Sequence, residues 1–257
     1  MLYYRKIENP NSKEWVVFLH GLCANSAMWT KQIFSYKQKY NLLLIDLPSH
    51  GNSTNAITER NMKTLKDVSD SVIEVLDELS IKKAHFAGVS IGTLVVGKIY
   101  QLYPEKVQSI VLCGAVASFG MFQEFMLGIL KTTARFLNPR TMAAIWVDYI
   151  LDSTERESIR DLFIEQSKHI SKPDTRHWIE MCIMEHNLLY KLDYENINIL
   201  FIMGERDKLF LTPIKKLKDK FNNIKLSIIK DSGHIANSHK PEEFNEISLN
   251  FLETINN

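Results

Sequence analysis

The stretch Ala84-His-Phe-Ala-Gly-Val-Ser-Ile-Gly-Thr-Leu-Val-Val-Gly-Lys-Ile-Tyr-Gln-Leu102 decides the fold. It opens with a short apolar run, typical of a buried strand, and closes with apolar residues at helical spacing from Leu94 onward. Between them lies the pattern G-x-S-x-G, centred on Ser90. Small residues two positions before and after the serine let a strand and a helix approach closely around a sharp turn. The pattern predicts that Ser90 projects its hydroxyl from the end of a buried strand.

Other short apolar runs along the chain also read as buried strands. They are Trp15–Leu19, Leu42–Ile45, Ser109–Leu112, Ile199–Met203 and Leu226–Ile229. Amphipathic helical periods separate them, for example between Leu65 and Leu79 and after Pro241. Strands that are apolar throughout and alternate with helices favour a mostly parallel sheet covered by helices on both faces. The predicted fold class is α/β.

From Ser118 to Glu195 the strand pattern stops, and the sequence becomes helical and rich in Met and aromatic residues. The strand pattern then resumes. This predicts a core domain formed by residues 1–117 and 196–257, with residues 118–195 inserted as a helical lid.

Composition excludes several classes of protein. The 257 residues carry 31 Lys and Arg against 30 Asp and Glu, a net charge of +1, and 45% are hydrophobic. A chain of this size can bury a large core without metals or disulfides, and its charge offers no footprint for nucleic acid. No apolar run approaches the roughly 20 residues that span a bilayer, and the start lacks the features of a signal peptide. With three cysteines and no C-x-x-C spacing, we expect a cytoplasmic protein.

A serine hydroxyl is a weak nucleophile unless a base and an orienting acid lie nearby. His234 follows the predicted strand at 226–229, and Asp207 follows the one at 199–203. Sites in α/β sheets lie at the carboxyl ends of the strands, where these residues are expected to meet Ser90. The spacing predicts Ser90, His234 and Asp207 as a catalytic triad. Glu205, Asp193 and Asp231 remain rival acids.

Four separated pieces of sequence carry a resemblance to a known family. They are His20-Gly21, Asp46-Leu-Pro-Ser-His-Gly-Asn-Ser53, the G-x-S-x-G turn, and the late loops with the acid and the histidine. Together they resemble the α/β-hydrolase superfamily over nearly the whole chain outside the insertion. The resemblance implies an oxyanion hole formed by the backbone amides of Leu22 and Ile91. Ser49 stands where relatives often carry glycine.

The resemblance also implies a function. The chain is similar to the smaller esterases, lactonases and C–C-bond hydrolases, because it lacks an H-G-G-G run after the first core strand. It implies a cofactor-free, carboxylesterase-like enzyme that cleaves an ester, thioester or lactone of a small to medium, largely apolar molecule through an acyl-enzyme. Two alternatives stay open: a C–C-bond hydrolase or lyase that uses the same triad, and a ligand receptor with vestigial hydrolase activity. The oligomeric state, monomer or dimer, is also open.

Several residues are candidates for the substrate pocket. They are Cys23, Met28, Trp29, Met121, Phe122, Phe125 and Trp146. Core packing is an equal alternative for Met28 and Trp29, and the default for the residues of the insertion. His20 and His50 are expected to anchor loops by hydrogen bonds. No histidine lies in a metal-ligand spacing, so no metal site is expected.

Overall fold

The computed structural model describes residues 1–54, 62–118, 120, 128–129, 131–133, 136–151 and 153–256. Within these ranges the strands form one seven-stranded sheet in the order β1-β3-β2-β4-β5-β6-β7. The strands are β1 (Tyr4–Ile7), β2 (Trp15–Leu19), β3 (Asn41–Ile45), β4 (Ala84–Val89), β5 (Val107–Cys113), β6 (Asn198–Gly204) and β7 (Ile224–Ile229). Only β1 pairs antiparallel, with β3. The predicted α/β class with a mostly parallel sheet is confirmed.

Helices flank the sheet in two groups. Among the described residues, the helices whose bounds are defined are α1 (Thr30–Tyr36), α2 (Leu65–Glu78), α3 (Ile91–Leu102), α4 (Pro139–Ile150), α5 (Ser153–Gln166), α6 (Lys172–Glu185), α7 (Leu211–Lys220), α8 (Ala236–His239) and α9 (Pro241–Asn256). Helix α2 packs against α3, and α1 packs against α9. Every residue of β3 and β4 is buried. Because successive side chains of a strand point to opposite faces, both faces of the sheet are covered there.

The predicted strands match the observed ones to within one or two residues at each end. Strand β1 and helix α7 are not predicted from the sequence. Strand β1 has the sequence Tyr-Arg-Lys-Ile and is an edge strand with two exposed residues, so it lacks a continuous apolar run. Helix α7 is rich in lysine and buries only Ile214 and Leu217.

Between β5 and β6 the described part of residues 118–195 is helical and contains no strand. Helix α4 packs against α5, and α6 packs against α3. Trp178 of α6 is fully buried against the rest of the protein. That this segment acts as a lid remains a prediction. None of the described helices is both long enough and apolar enough to cross a membrane.

The strand order places a crevice at one edge of the sheet. Strand β2 lies between β3 and β4, so the chain leaves β2 toward β3 on one side and later returns to β4 on the other. At such a switch point the loops after neighbouring strands diverge and leave room for a ligand. Leu19, the last residue of β2, is paired with Gly88 of β4. The loop that begins at His20 therefore lies beside the turn at Ser90.

Candidate active site

Ser90 lies in a strained turn between β4 and α3. Its φ and ψ angles are 54° and −124°, in a region that residues other than glycine rarely adopt. The turn is tight because Gly88 and Gly92 face each other: a Cβ on Gly88 would come within 2.8 Å of the carbonyl oxygen of Gly92. A Cβ on Gly92 would lie 2.5 Å from the carbonyl oxygen of Leu19. The two glycines thus let α3 start directly against β4 and β2.

The structure brings Ser90, His234 and Asp207 together. Nε2 of His234 lies 3.0 Å from Oγ of Ser90, and Nδ1 of His234 lies 2.9 Å from Oδ2 of Asp207. Asp207 and His234 are buried, whereas Ser90 is partly exposed. The three groups form a single hydrogen-bonded series that runs from a buried carboxylate to an accessible hydroxyl. Such a series can remove the proton of a hydroxyl and stabilise the imidazolium that results.

Asp207 is held by the chain that follows it. Its Oδ1 accepts the backbone N–H groups of Leu209 at 3.2 Å and Phe210 at 3.0 Å, which leaves Oδ2 for the histidine. The ring of Phe210 packs on His234, with 5.2 Å between ring centroids. Both carboxylate oxygens and the imidazole are therefore fixed in orientation.

The rival acids point elsewhere. The carboxylate of Glu205 accepts the backbone N–H of Asp231, and the carboxylate of Asp231 pairs with Arg206 at 2.5 Å. Asp193 accepts hydrogen bonds from Glu195 and Asn196, at the start of β6. The start of a parallel strand is at the edge of the sheet opposite Ser90, so Asp207 is the acid that the fold places against His234.

Gly114 is a further residue of the site, not predicted from the sequence. It follows β5 with a φ of 51°, and a Cβ there would overlap the carbonyl oxygen of His234 and lie 3.0 Å from its Nδ1. The preceding residue, Cys113, accepts the backbone N–H of Ser90 through its carbonyl oxygen at 3.1 Å. A glycine directly after a predicted core strand, at the edge where the site lies, is the sequence signal for this position.

The two residues expected to supply oxyanion amides, Leu22 and Ile91, lie near Ser90. Ile91 is the first residue of α3, and the first amides of a helix have no partner within the helix. Gly21 approaches Ser90 so closely that a Cβ on Gly21 would lie 3.2 Å from the Cβ of Ser90. Leu22 follows Gly21 and lines the same cavity as Ser90. The assignment of the Leu22 and Ile91 amides as an oxyanion hole stays a prediction.

His20 and His50 hold the loops around this site. Nε2 of His20 accepts the N–H of Leu47 at 2.9 Å, and its Nδ1 donates to the carbonyl oxygen of Gly21 at 2.7 Å. Nε2 of His50 accepts the N–H of Cys23 at 3.1 Å. Burial lowers the pKa of both side chains, that of His50 to about 3. Both rings are therefore neutral acceptors for backbone N–H groups, as expected of loop anchors.

Ser49 takes the place of the glycine that the family resemblance implies, and its φ is 66°. The backbone there thus adopts the left-handed conformation that glycine tolerates best. Its N–H donates to the carbonyl oxygen of Ser53 at 2.7 Å and closes the loop. Serine in place of glycine at this position affects the loop backbone and not the groups around Ser90.

A cavity opens onto Ser90 and His234. Among the described residues its wall also contains Gly21, Leu22, Met28, Val147, Ile150, Leu151, Phe163 and Ile235. Apart from His234 this wall carries no ionisable side chain. The free volume is about 20 Å³, room for about one water molecule. Residues of α4 and α5 thus form part of the wall beside Ser90, and the free volume among the described residues is smaller than an ester substrate.

The structure places the candidate pocket residues differently from one another. Met28 lies in the cavity wall. Trp29 is fully buried and packs on Phe18 and Phe244, with centroids 5.0 and 6.1 Å apart, so the core-packing alternative describes it.

Cys23 is buried beneath the loop, where burial raises the pKa of its thiol to about 12, and it is not among the residues that line the cavity. Its part in the site is its backbone N–H, which His50 accepts. Met121, Phe122, Phe125 and the side chain of Trp146 lie outside the described residues.

Known proteins share this architecture. Residues 14–138 match the family model of the alpha/beta hydrolase fold. The chain is 24% identical to 3-oxoadipate enol-lactonase 1 of Acinetobacter baylyi, over 97% of this chain and 92% of that protein. It is 23% identical to "Putative 2-succinyl-6-hydroxy-2,4-cyclohexadiene-1-carboxylate synthase" of Bacillus subtilis, over 96% of this chain and 93% of the relative.

Among solved structures, that of MenH from S. aureus is similar over the whole length of both chains, with a TM-score of 0.85 and 20% sequence identity. The sheet order, the turn at Ser90 and the full-length similarity to these proteins all indicate the same family as the family model. This chain belongs to the α/β-hydrolase superfamily.

Proposed function

We propose that this protein is a serine hydrolase that cleaves an ester, thioester or lactone and forms an acyl-enzyme on Ser90. The observation that carries the proposal is the hydrogen-bonded series from Ser90 through His234 to Asp207, which ends in an apolar cavity. A hydroxyl, an imidazole and a buried carboxylate joined in this order are the machinery of acyl transfer. The similarity to an enol-lactonase over the whole chain supports the same class.

In the proposed reaction, Nε2 of His234 accepts the hydroxyl proton while Oγ of Ser90 forms a bond to the substrate carbonyl carbon. The π electrons move onto the carbonyl oxygen, which accepts hydrogen bonds from the amides of Leu22 and Ile91. Collapse of the tetrahedral intermediate breaks the bond to the leaving group, which takes the proton from His234. Water then attacks the acyl-enzyme by the same steps, and the acid is released.

Asp207 makes the histidine effective in both steps. Its Oδ2 accepts the Nδ1–H of His234, which keeps the lone pair of the neutral ring on Nε2, facing Ser90. When the ring is protonated, the same carboxylate stabilises its positive charge. Because Leu209 and Phe210 hold the carboxylate from behind, this stabilisation needs no rearrangement during the reaction.

The cavity wall supports a small to medium, largely apolar substrate. The aliphatic, Met and Phe side chains of its described wall bury hydrocarbon well, and this part of the wall provides no fixed positive charge for a phosphate or a carboxylate. Recognition of such anions usually relies on Arg or Lys. We therefore propose an uncharged acyl group.

A second candidate is a C–C-bond hydrolase or lyase that uses the same three residues. The observation in its favour is the similarity to the curated synthase, which is as great as that to the lactonase. The names of both relatives include a carboxylate, for which the described cavity wall of this chain offers no cation, so this feature does not separate the two reactions. We place the ester or lactone hydrolase first because simple uncharged esters and lactones need no such cation.

The deciding experiment is an assay on p-nitrophenyl esters, a thioester and lactones, with the Ser90→Ala protein as the blank. We expect hydrolysis by the wild-type protein and none by the variant. Binding of a ligand without turnover of any of these compounds would instead favour a receptor. Turnover of a 1,3-diketone, but of no ester or lactone, would favour C–C-bond chemistry.

The three cysteines support a cytoplasmic location, which we also propose. Cys23, Cys113 and Cys182 are all buried, and none of them forms a disulfide. A reducing compartment suits a protein that keeps its cysteines as thiols.

A further inference from the structure

Trp178 connects the helical segment to the loop that follows β3. Its indole Nε1–H donates to the carbonyl oxygen of Pro48 at 3.1 Å, and the whole side chain is buried. The same oxygen accepts the Nδ1–H of His50 at 3.0 Å. Two donors from different parts of the chain thus converge on one carbonyl.

His50 transmits this contact to the loop beside Ser90. Because its hydrogen is on Nδ1, Nε2 carries a lone pair, and this accepts the backbone N–H of Cys23 at 3.1 Å. Cys23 immediately follows Leu22, the proposed oxyanion donor, and has a φ of 60°. A residue other than glycine holds this left-handed conformation only when its surroundings impose it.

The packing around His50 leaves the ring one orientation. It is only 2% exposed and lies edge to face with His20, at 5.0 Å between centroids, and with Trp178, at 5.4 Å. Burial lowers its pKa to about 3, so Nε2 remains an acceptor at neutral pH. His20 makes the other contact between the two loops near the oxyanion donor: its Nε2 accepts the Leu47 N–H, and its Nδ1 donates to the carbonyl oxygen of Gly21, which shares a peptide unit with the Leu22 amide.

We propose that His50 and Trp178 are positioning residues for the oxyanion hole. Trp178, through Pro48, fixes the ring of His50, and His50 holds the Cys23 amide so that the neighbouring amide of Leu22 faces the oxyanion. The helical segment between β5 and β6 thereby contributes to catalysis as well as to the wall of the cavity. This inference rests on the proposed serine hydrolase activity.

The first test compares two buried histidines. His85 on β4 is as deeply buried as His50, but it hydrogen-bonds to Ser109 at 2.7 Å near the other end of the sheet. We expect His50→Leu to lower kcat about 10- to 100-fold with KM within about twofold, because oxyanion stabilisation acts in the transition state. His85→Leu should lower the Tm while kcat stays near that of the wild type.

A conservative variant separates positioning from packing. His50→Gln keeps an amide group that can accept the Cys23 N–H near the place of Nε2, so it should recover much of the kcat lost in His50→Leu. Should the leucine variant fail to fold, His50→Asn takes its place: its shorter side chain can still donate to Pro48 near the place of Nδ1 but does not reach the Cys23 N–H, so kcat should fall well below that of His50→Gln.

The second test concerns Trp178. Trp178→Phe keeps an aromatic ring but removes the N–H to Pro48, so kcat should fall severalfold. Trp15→Phe, the same change at the far end of β2, should leave kcat unchanged. In a His50→Leu background Trp178→Phe should cause no further loss, because the two residues act through one link.

Two results would overturn the inference. One is a His50→Leu protein that is folded and retains wild-type kcat, and the other is full additivity of the two substitutions. Absence of Ser90-dependent turnover in the wild-type protein would instead reject the proposed function, so the two failures are distinguishable.

Discussion

Oδ2 of Asp207 lies 2.9 Å from Nδ1 of His234, although 27 positions separate the two residues in the sequence. The contact arises because β6 and β7 are parallel neighbours, so the loops after them leave the same edge of the sheet. Gly204, the last residue of β6, allows the second loop to pass directly over it: a Cβ there would overlap the backbone of Gly233 and Ser232. The acid and the base are thus brought together by adjacent strands and a glycine.

This contact predicts the effect of Asp207→Asn. The amide is similar in shape, so the fold should be retained, but the wrong imidazole tautomer is favoured, and kcat should fall by about 10⁴-fold. The measurement is steady-state ester hydrolysis together with thermal unfolding. Glu205→Gln, two positions away, is the control and should have little effect. A greater loss in the Glu205 variant would show that the acid has been assigned wrongly.

Ser90 should be the residue that a fluorophosphonate probe modifies. The reagent needs an activated hydroxyl, and only a serine within reach of a base reacts readily. Intact-mass analysis should show a single adduct on the wild-type protein and none on Ser90→Ala. Ser71→Ala, which removes a buried hydroxyl on α2, should label like the wild type. Equal labelling of the Ser90 variant would place the nucleophile elsewhere.

Stability should fall steeply as the pH is lowered from about 6.5 to 4. Burial, reinforced by the charge of Lys83, lowers the pKa of His85 to about 4, and burial lowers that of His50 to about 3. In the unfolded chain these groups titrate near 6.5. Between the two values the unfolded state binds protons that the folded state does not. The stabilisation is therefore complete above about pH 6.5 and decreases as the pH falls toward the folded pKa.

The check is urea denaturation at a series of pH values. Each such histidine contributes a slope of up to about 1.4 kcal/mol per pH unit within this window. A variant with His85→Leu should show a shallower dependence on pH than the wild type, whatever its stability at neutral pH. An identical slope in the two proteins would mean that His85 is not buried in the neutral form.

The sequence predicts the parts of this protein that depend on local pattern. Strands such as β3 and β4 are buried on both faces, so each has a largely continuous apolar sequence. The turn at Ser90 is predicted by the glycines on either side of it. Strand β1 is not predicted, because half of its residues are polar and it is stabilised by pairing with β3.

Other features of the site depend on contacts between distant segments. Gly114 matters only because His234 comes to lie against it, and Trp178 only because α6 packs over Pro48. No local pattern indicates which distant residue will be the neighbour. The same reason explains Trp29, whose sequence position fits a pocket wall and whose surroundings, Phe18 and Phe244, make it a core residue.

The final prediction concerns the length of the acyl chain. Each methylene buried against the apolar wall contributes about 0.8 kcal/mol, or about a fourfold increase in kcat/KM, until the cavity is filled. Because residues of α4 and α5 line the cavity and the free volume beside Ser90 is small, kcat/KM for p-nitrophenyl esters should rise and then stop rising, a break that we expect at short to medium chains.

Phe163 of α5 is the large side chain in this wall, so Phe163→Ala should move the break to longer esters, and Phe163→Leu should move it less. Phe34→Ala removes an exposed phenylalanine of α1 that is not part of the wall and should leave the profile unchanged. If kcat/KM of the wild type instead increased steadily up to palmitoyl esters, that would contradict a compact acyl pocket. An unchanged break in both Phe163 variants, with folding verified by thermal unfolding, would show that α5 does not limit the acyl pocket.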